Sequence, residues 1–137
     1  MKKYVVDASI ILTALLQSRR EILEKIREYL SLLEDGKIEM MSTNFLRTEV
    51  ANGLRFNMKD PLKAVELFDG FLDLPIIYHK LSASLYEEAI FKSFKYSTTV
   101  YDTLYHILAL DQNATFLTCD SEYYKKAKNL GDIEFVG

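Results

Sequence analysis

One cysteine, Cys119, stands in 137 residues. A single thiol excludes an internal disulfide framework and a multi-cysteine zinc site. Its neighbours Phe116, Leu117 and Thr118 place it on a buried strand, where cysteine packs as a small apolar side chain. Histidine is scarce too, with two in the chain and neither near Cys119 in sequence, so nothing local activates the thiol as a nucleophile. Two prolines and five glycines leave no linker or low-complexity segment, and one domain is expected over residues 1–137. No apolar run approaches the roughly twenty residues of a membrane span, and the first residues lack a signal-peptide core. No membrane association is expected, and a cytoplasmic location is. The net charge of −3 excludes nucleic-acid binding by bulk positive charge, leaving local basic patches or bound cations as the means of attracting phosphates.

What is present, 49% apolar and 27% charged residues, is the composition of a globular domain. The chain is organised around Lys2 to Leu12. Tyr4, Val5 and Val6 form an apolar, β-prone run that fits a central strand covered on both faces. The run stops at Asp7, before a helix over Ser9–Leu16. Further on, Ile22, Leu23, Ile26, Tyr29, Leu30 and Leu33 recur at helical spacing and predict an amphipathic helix over Arg19–Leu33, closed by Asp35-Gly36. Ile38–Met41 reads as a strand, with Ser42-Thr43-Asn44 as N-cap candidates for a helix over Phe45–Asn57. Asp60-Pro61 opens a helix to Leu72, and Ile76–Tyr78 reads as a third strand. Leu85, Ala89, Ile90 and Phe94 form the apolar set of the next helix. Tyr101, Leu104, Tyr105 and Leu108 form that of the helix over Val100–Gln112. A strand over Thr115–Cys119, a helix over Ser121–Leu130 and a strand over Ile133–Val136 complete the chain. This alternation predicts an α/β domain with a mainly parallel sheet.

Three acids share the setting of a strand end or helix start: Asp7, Asp102 and Asp120. Each also reads as a capping residue, Asp7 and Asp120 as N-caps and Asp102 as the third residue of a helix capped by Thr99. Caps do not account for the joint pattern. If the strands ending at Asp7 and Asp120 are parallel neighbours, both carboxylates emerge at one sheet edge, where open α/β sheets bind ligands. Asp102 begins the helix leading into the second of these strands. Glu49, on another helix, reaches them only if the fold brings it there. Carboxylates held together repel one another and recruit a divalent cation, and oxygen-only ligands favour Mg²⁺ or Mn²⁺ over zinc. Such an ion activates water and stabilises charge on a phosphodiester.

The segments Val5-Val6-Asp7-Ala8-Ser9, Thr48-Glu49-Val50, Thr99 to Tyr105 and Leu117-Thr118-Cys119-Asp120 resemble, in order, the four acidic motifs of PIN domains. The likeness is greatest to the single-domain VapC-type toxins and covers essentially the whole chain. The resemblance implies a three-layer α/β/α fold and a Mg²⁺- or Mn²⁺-dependent ribonuclease that cleaves RNA as the toxin of a toxin–antitoxin pair. Its acidic cluster is Asp7, Glu49, Asp102 and Asp120, with the metal on Asp7, Asp102 and Asp120. Ser9 and Thr118 resemble the small hydroxyl residues beside those acids. Glu122 is an additional acid or a first-turn helix carboxylate. A homodimer and an antitoxin whose tail covers the acidic groove are also implied. His106 stands where the family is apolar and is expected on the helix surface or packed. Lys125, Lys126 and Lys128 are either phosphate contacts or a solvated face.

A catalytically inactive PIN-like interaction subunit, binding through the Arg19–Leu33 helix, is the alternative. A phospho-acceptor domain of receiver type shares the fold class but resembles a pattern with paired acids after the first strand, whereas Asp7 stands alone.

Overall fold

The computed structural model describes residues 1–137. The β-prone run at the start forms β1 (Lys2–Val6), whose last three residues are buried. It is central, flanked by β2 (Ile38–Thr43) on one side and β4 (Thr115–Thr118) on the other. The strands β3 (Ile77–His79) and β5 (Ile133–Phe135) form the edges, and all four pairings are parallel in the order β3-β2-β1-β4-β5. Parallel pairing demands crossovers, supplied by seven helices: α1 (Ala8–Leu16), α2 (Arg20–Glu34), α3 (Leu46–Asn57), α4 (Pro61–Leu72), α5 (Ala83–Tyr96), α6 (Val100–Asp111) and α7 (Ser121–Ala127). From β1 the chain winds outward to β2 and β3, then returns across the sheet to β4 and β5. Right-handed crossovers therefore lay the first helices on one face and the later ones on the other, giving the expected three layers. The direction of winding reverses between β1 and β4, and a crevice opens there at the carboxyl ends of the strands.

Burial on both faces makes the core. Val5, Val6, Met40 and Leu117 are fully enclosed, with Ile10 and Ile26 against one side and Tyr105 and Leu108 among the α6 residues that close the core. At Gly53 a Cβ would come within 2.3 Å of a Leu12 methyl, so this glycine lets α3 approach α1 closely.

Four local expectations give way. Ser42 and Thr43 lie in β2 rather than capping α3, paired with Tyr78 and His79 of β3, and the Ser42 hydroxyl donates to the Val6 carbonyl across the sheet at 2.6 Å. Phe45 precedes α3 with no side-chain cap. On α5 the buried side chains are Ala89 and Ser93, whereas Ile90 and Phe94 face outward with Phe91. On α6 burial extends continuously from Thr103 to Ala109, and Tyr101 is exposed. The stripe of α2 (Ile22, Leu23, Ile26, Leu33) packs inside the protein, so it is not free to receive a partner.

Candidate active site

Strand register sets the first contact. Val6 pairs with Leu117, so the next residues, Asp7 and Thr118, lie level at the ends of neighbouring strands. The Thr118 hydroxyl donates to Asp7 Oδ2 at 2.6 Å and the Ser9 hydroxyl to Oδ1 at 2.5 Å. Ile10 N–H also reaches Oδ1, at 3.3 Å, so Asp7 caps α1 as well. The two hydroxyls and the cap hold the carboxylate in one orientation. Ser9 is itself braced, its oxygen accepting from the Cys119 main-chain N–H at 3.2 Å. Asp7 is 7% exposed. Burial, opposed by these three donors and reinforced by the charge of Asp102, pushes its carboxyl up from 3.8 to about 6.

Asp120, two residues beyond Thr118, caps α7 by accepting from Tyr123 N–H at 3.1 Å. Asp102 lies in the first turn of α6, where its N–H donates to the Thr99 hydroxyl at 3.1 Å. The capping readings of Asp7 and Asp120 thus hold, and capping is what aims both carboxyl groups. Asp102 and Asp120 line one cleft of about 310 Å³ with Glu122, Tyr123, Lys126 and the Ser97–Thr99 turn. Burial and then the charge of Asp120 raise the Asp102 carboxyl, opposed by its hydrogen bond with Thr99. Asp102 therefore feels Asp120 and is felt by Asp7.

Glu49 joins from α3. Its carboxylate accepts a short hydrogen bond from the Tyr105 hydroxyl. Burial raises its carboxyl, the tyrosine bond opposes this, and the charge of Asp102 adds to it. The fold thus brings Asp7, Glu49 and Asp120 each within electrostatic reach of Asp102. It does not pack them into a cage, because no three His, Cys, Asp or Glu side chains stand close enough to enclose an ion by themselves. Glu122 is exposed at the cleft rim.

Two side chains here escape sequence reasoning in their roles. Tyr105 reads from sequence only as a packing residue, and Tyr123 only as part of the last helix. The available signal is spacing: each lies three residues after an acid of the cluster, on the same helical face. His106 is packed, as expected. It is fully buried between the Tyr123 hydroxyl (Nδ1, 2.8 Å) and the Gly131 carbonyl (Nε2, 2.6 Å). The carbonyl can only accept, so Nε2 carries the proton and the tyrosine donates to Nδ1. Burial lowers the imidazole's proton affinity, opposed by the Gly131 bond and the charge of Asp132.

Comparison with known proteins follows this geometry. The PIN domain model matches residues 4–129. No curated protein sequence matches the chain. Among solved structures, VapBC2 from Rickettsia felis, bound to a DNA fragment from its promoter, is similar at TM-score 0.73 and 17% identity over 98% of this chain and 99% of that one. VapC20 from Mycobacterium tuberculosis, a Sarcin-Ricin loop cleaving toxin, is similar at TM-score 0.72 and 14% identity over 98% and 99%. A toxin–antitoxin complex from Klebsiella pneumoniae gives TM-score 0.70 at 15% identity, covering 98% of each chain. At these identities the likeness is one of fold.

Proposed function

The chain belongs to the PIN domain family, and from that premise we propose that it is a Mg²⁺- or Mn²⁺-dependent endoribonuclease, the VapC-type toxin of a type II toxin–antitoxin pair. The observation that carries the proposal is the meeting of Asp7, Asp102 and Asp120 at the switch point between β1 and β4, each raising or feeling another's charge. Structural carboxylates are seldom gathered where they destabilise one another, and a cation relieves that cost.

The donor set fits such an ion. It consists of oxygens alone, which suits Mg²⁺ or Mn²⁺, ions held by hard oxygen ligands with waters and substrate phosphate completing the shell. The one buried side-chain polar atom left without a partner, Thr43 Oγ1, belongs to the last residue of β2, beside the Asp7 end of β1. Asp7, Asp102 and Asp120 would hold the ion. When bound, it supplies charge neutralisation at the phosphodiester and a more acidic attacking water. The protein's own contribution is orientation. Ser9 and Thr118 fix the Asp7 carboxylate, Thr99 anchors the turn that presents Asp102, and the cap to Tyr123 N–H fixes Asp120. Glu49, held by Tyr105, would complete the acidic set and could accept a proton from the reacting water.

The same reading supplies the partners. RNA is the substrate, and the cytoplasm, where RNA is abundant, is the place of action. A cognate antitoxin and a second copy of the chain cover its exposed apolar side chains, among them Leu62 and Val65 on α4 and Phe91 and Phe94 on α5. Antitoxin-free protein with Mg²⁺ should degrade single-stranded RNA, and Asp7→Asn and Asp102→Asn should each lower the rate at least about 100-fold. Equal rates for all three proteins would exclude the nuclease and leave the inactive interaction subunit, which would have to bind through a surface other than the buried apolar stripe of α2.

A further inference from the structure

An acidic protein with an acidic crevice must still attract a polyanion, and the cations that do so are to be sought at the crevice edge. Arg19, the residue before α2, adopts left-handed backbone angles (φ 52°, ψ 60°), as does Gln17 two residues earlier. That conformation is uncommon outside glycine and holds the α1–α2 turn in a specific shape. From it the Arg19 guanidinium reaches the end of β4, where Nη1 donates to the Cys119 carbonyl at 2.5 Å. That carbonyl belongs to the peptide leading into Asp120. A permanent positive charge is therefore fixed at the peptide that leads into Asp120. Its nearest carboxylate, Glu21, lies at 3.9 Å and is largely exposed, so the pairing is weak and the other guanidinium N–H groups remain available.

The opposite wall carries a second cation. Lys126 on α7 lines the cleft with Asp102, Asp120 and Glu122, and none of the protein's ion pairs includes it. Arg19 follows α1, the crossover leaving β1, and Lys126 lies on the crossover leaving β4. At a switch point these crossovers depart to opposite faces of the sheet, so the two cations flank the crevice.

We propose that Arg19 and Lys126 form a two-sided phosphate clamp that grips the RNA backbone on either side of the phosphodiester held over Asp7, Asp102 and Asp120. The inference rests on the nuclease reading and adds to it the two residues that seat the substrate. The planar fork of arginine suits bidentate phosphate contact, and the lysine acts as a mobile point charge.

The test is the salt dependence of binding to a fluorescent single-stranded RNA of mixed sequence, with Ca²⁺ satisfying the acids. Arg19→Gln and Lys126→Gln should each flatten the plot of log affinity against log salt by about 0.7, the slope of one single-strand phosphate contact, and the double variant by twice that. Lys37→Gln, an exposed charge at the opposite end of the sheet, should leave the slope unchanged. Arg19→Lys should restore most of the slope lost in Arg19→Gln, while Arg19→Gln, whose amide N–H can still donate to the Cys119 carbonyl, should keep the wild-type melting temperature, separating loss of charge from loss of the structural bond. Lys126 is exposed, so its variant reports on binding even if Arg19→Gln disturbs the fold. Slopes equal to wild type in Arg19→Gln and Lys126→Gln, with RNA still bound and cleaved, would overturn the clamp alone. Wild-type protein that neither binds nor cleaves RNA would overturn the nuclease reading and the clamp with it.

Discussion

At the residue scale Asp7 states the conflict between stability and function most sharply. Burial pushes its carboxyl up from 3.8 to about 6, so folding favours the protonated form. The stabilisation this brings is complete below about pH 4 and is lost as the pH rises through about 6. At neutral pH the buried charge costs on the order of 1–3 kcal/mol without an ion. Asp7→Asn should therefore raise the thermal stability of ion-free protein at pH 7.5. The gain should vanish below pH 4, and Mn²⁺ should stabilise wild type but not the variant. Denaturant titrations across pH check this; an Asp7→Asn variant less stable at pH 7.5 would contradict it. Glu49 yields a companion prediction. Tyr105→Phe removes the hydroxyl that stabilises its carboxylate, so the Glu49 carboxyl should titrate higher still. The variant should lose about 1–2 kcal/mol at pH 7, and less at pH 4 where Glu49 is protonated.

At the element scale, the positions of strands and helices were largely legible because periodicity and turn residues mark them locally. Asp60-Pro61 opens α4 as read, with the Asp60 carboxylate accepting from Leu62 N–H at 3.0 Å. The Asp7 and Asp120 strand ends were legible for the same reason. What local pattern does not encode is which surface an apolar side chain meets. Ile90 and Phe94 recur at helical spacing and read as core, yet the helix turns Ala89 and Ser93 inward. Ser42 and Thr43 suit a cap or a strand equally, and pairing with β3 decides for the strand. Glu49 needed the α3–α6 contact, which no spacing on α3 reveals. Where α3 crosses α1 the fit is tight. Gly53→Val should destabilise by about 1–3 kcal/mol through overpacking against Leu12. Pairing it with Leu12→Ala should recover part of that loss, a coupling a double-mutant cycle measures directly.

For the whole molecule, one topological fact governs the site: β1 and β4 are neighbours whose chains depart to opposite faces. That adjacency sets Asp7 and Asp120, 113 positions apart in sequence, at the ends of neighbouring strands. The exposed aromatics of α5 belong to this scale as well, since Phe91 is 74% and Phe94 84% exposed in the single chain. Contiguous exposed aromatics of this kind are characteristic of interaction surfaces, which is what the proposed dimer contact needs. If these side chains form the proposed dimer contact, Phe91→Glu with Phe94→Glu should shift the purified protein to a monomer in sedimentation velocity while it stays folded by circular dichroism. A dimer that persists would place the interface elsewhere.

The central claim, that separated acids converge to hold a divalent ion, is tested most directly by calorimetric titration of Mn²⁺ into chelator-stripped, antitoxin-free protein beside Asp102→Asn. The measurement needs no knowledge of the RNA target. Saturable binding by wild type, lost or weakened at least about tenfold in the variant, is the predicted result. Two folded proteins that both fail to bind, or that bind equally, would contradict it and return Asp7, Asp102 and Asp120 to the role of helix caps.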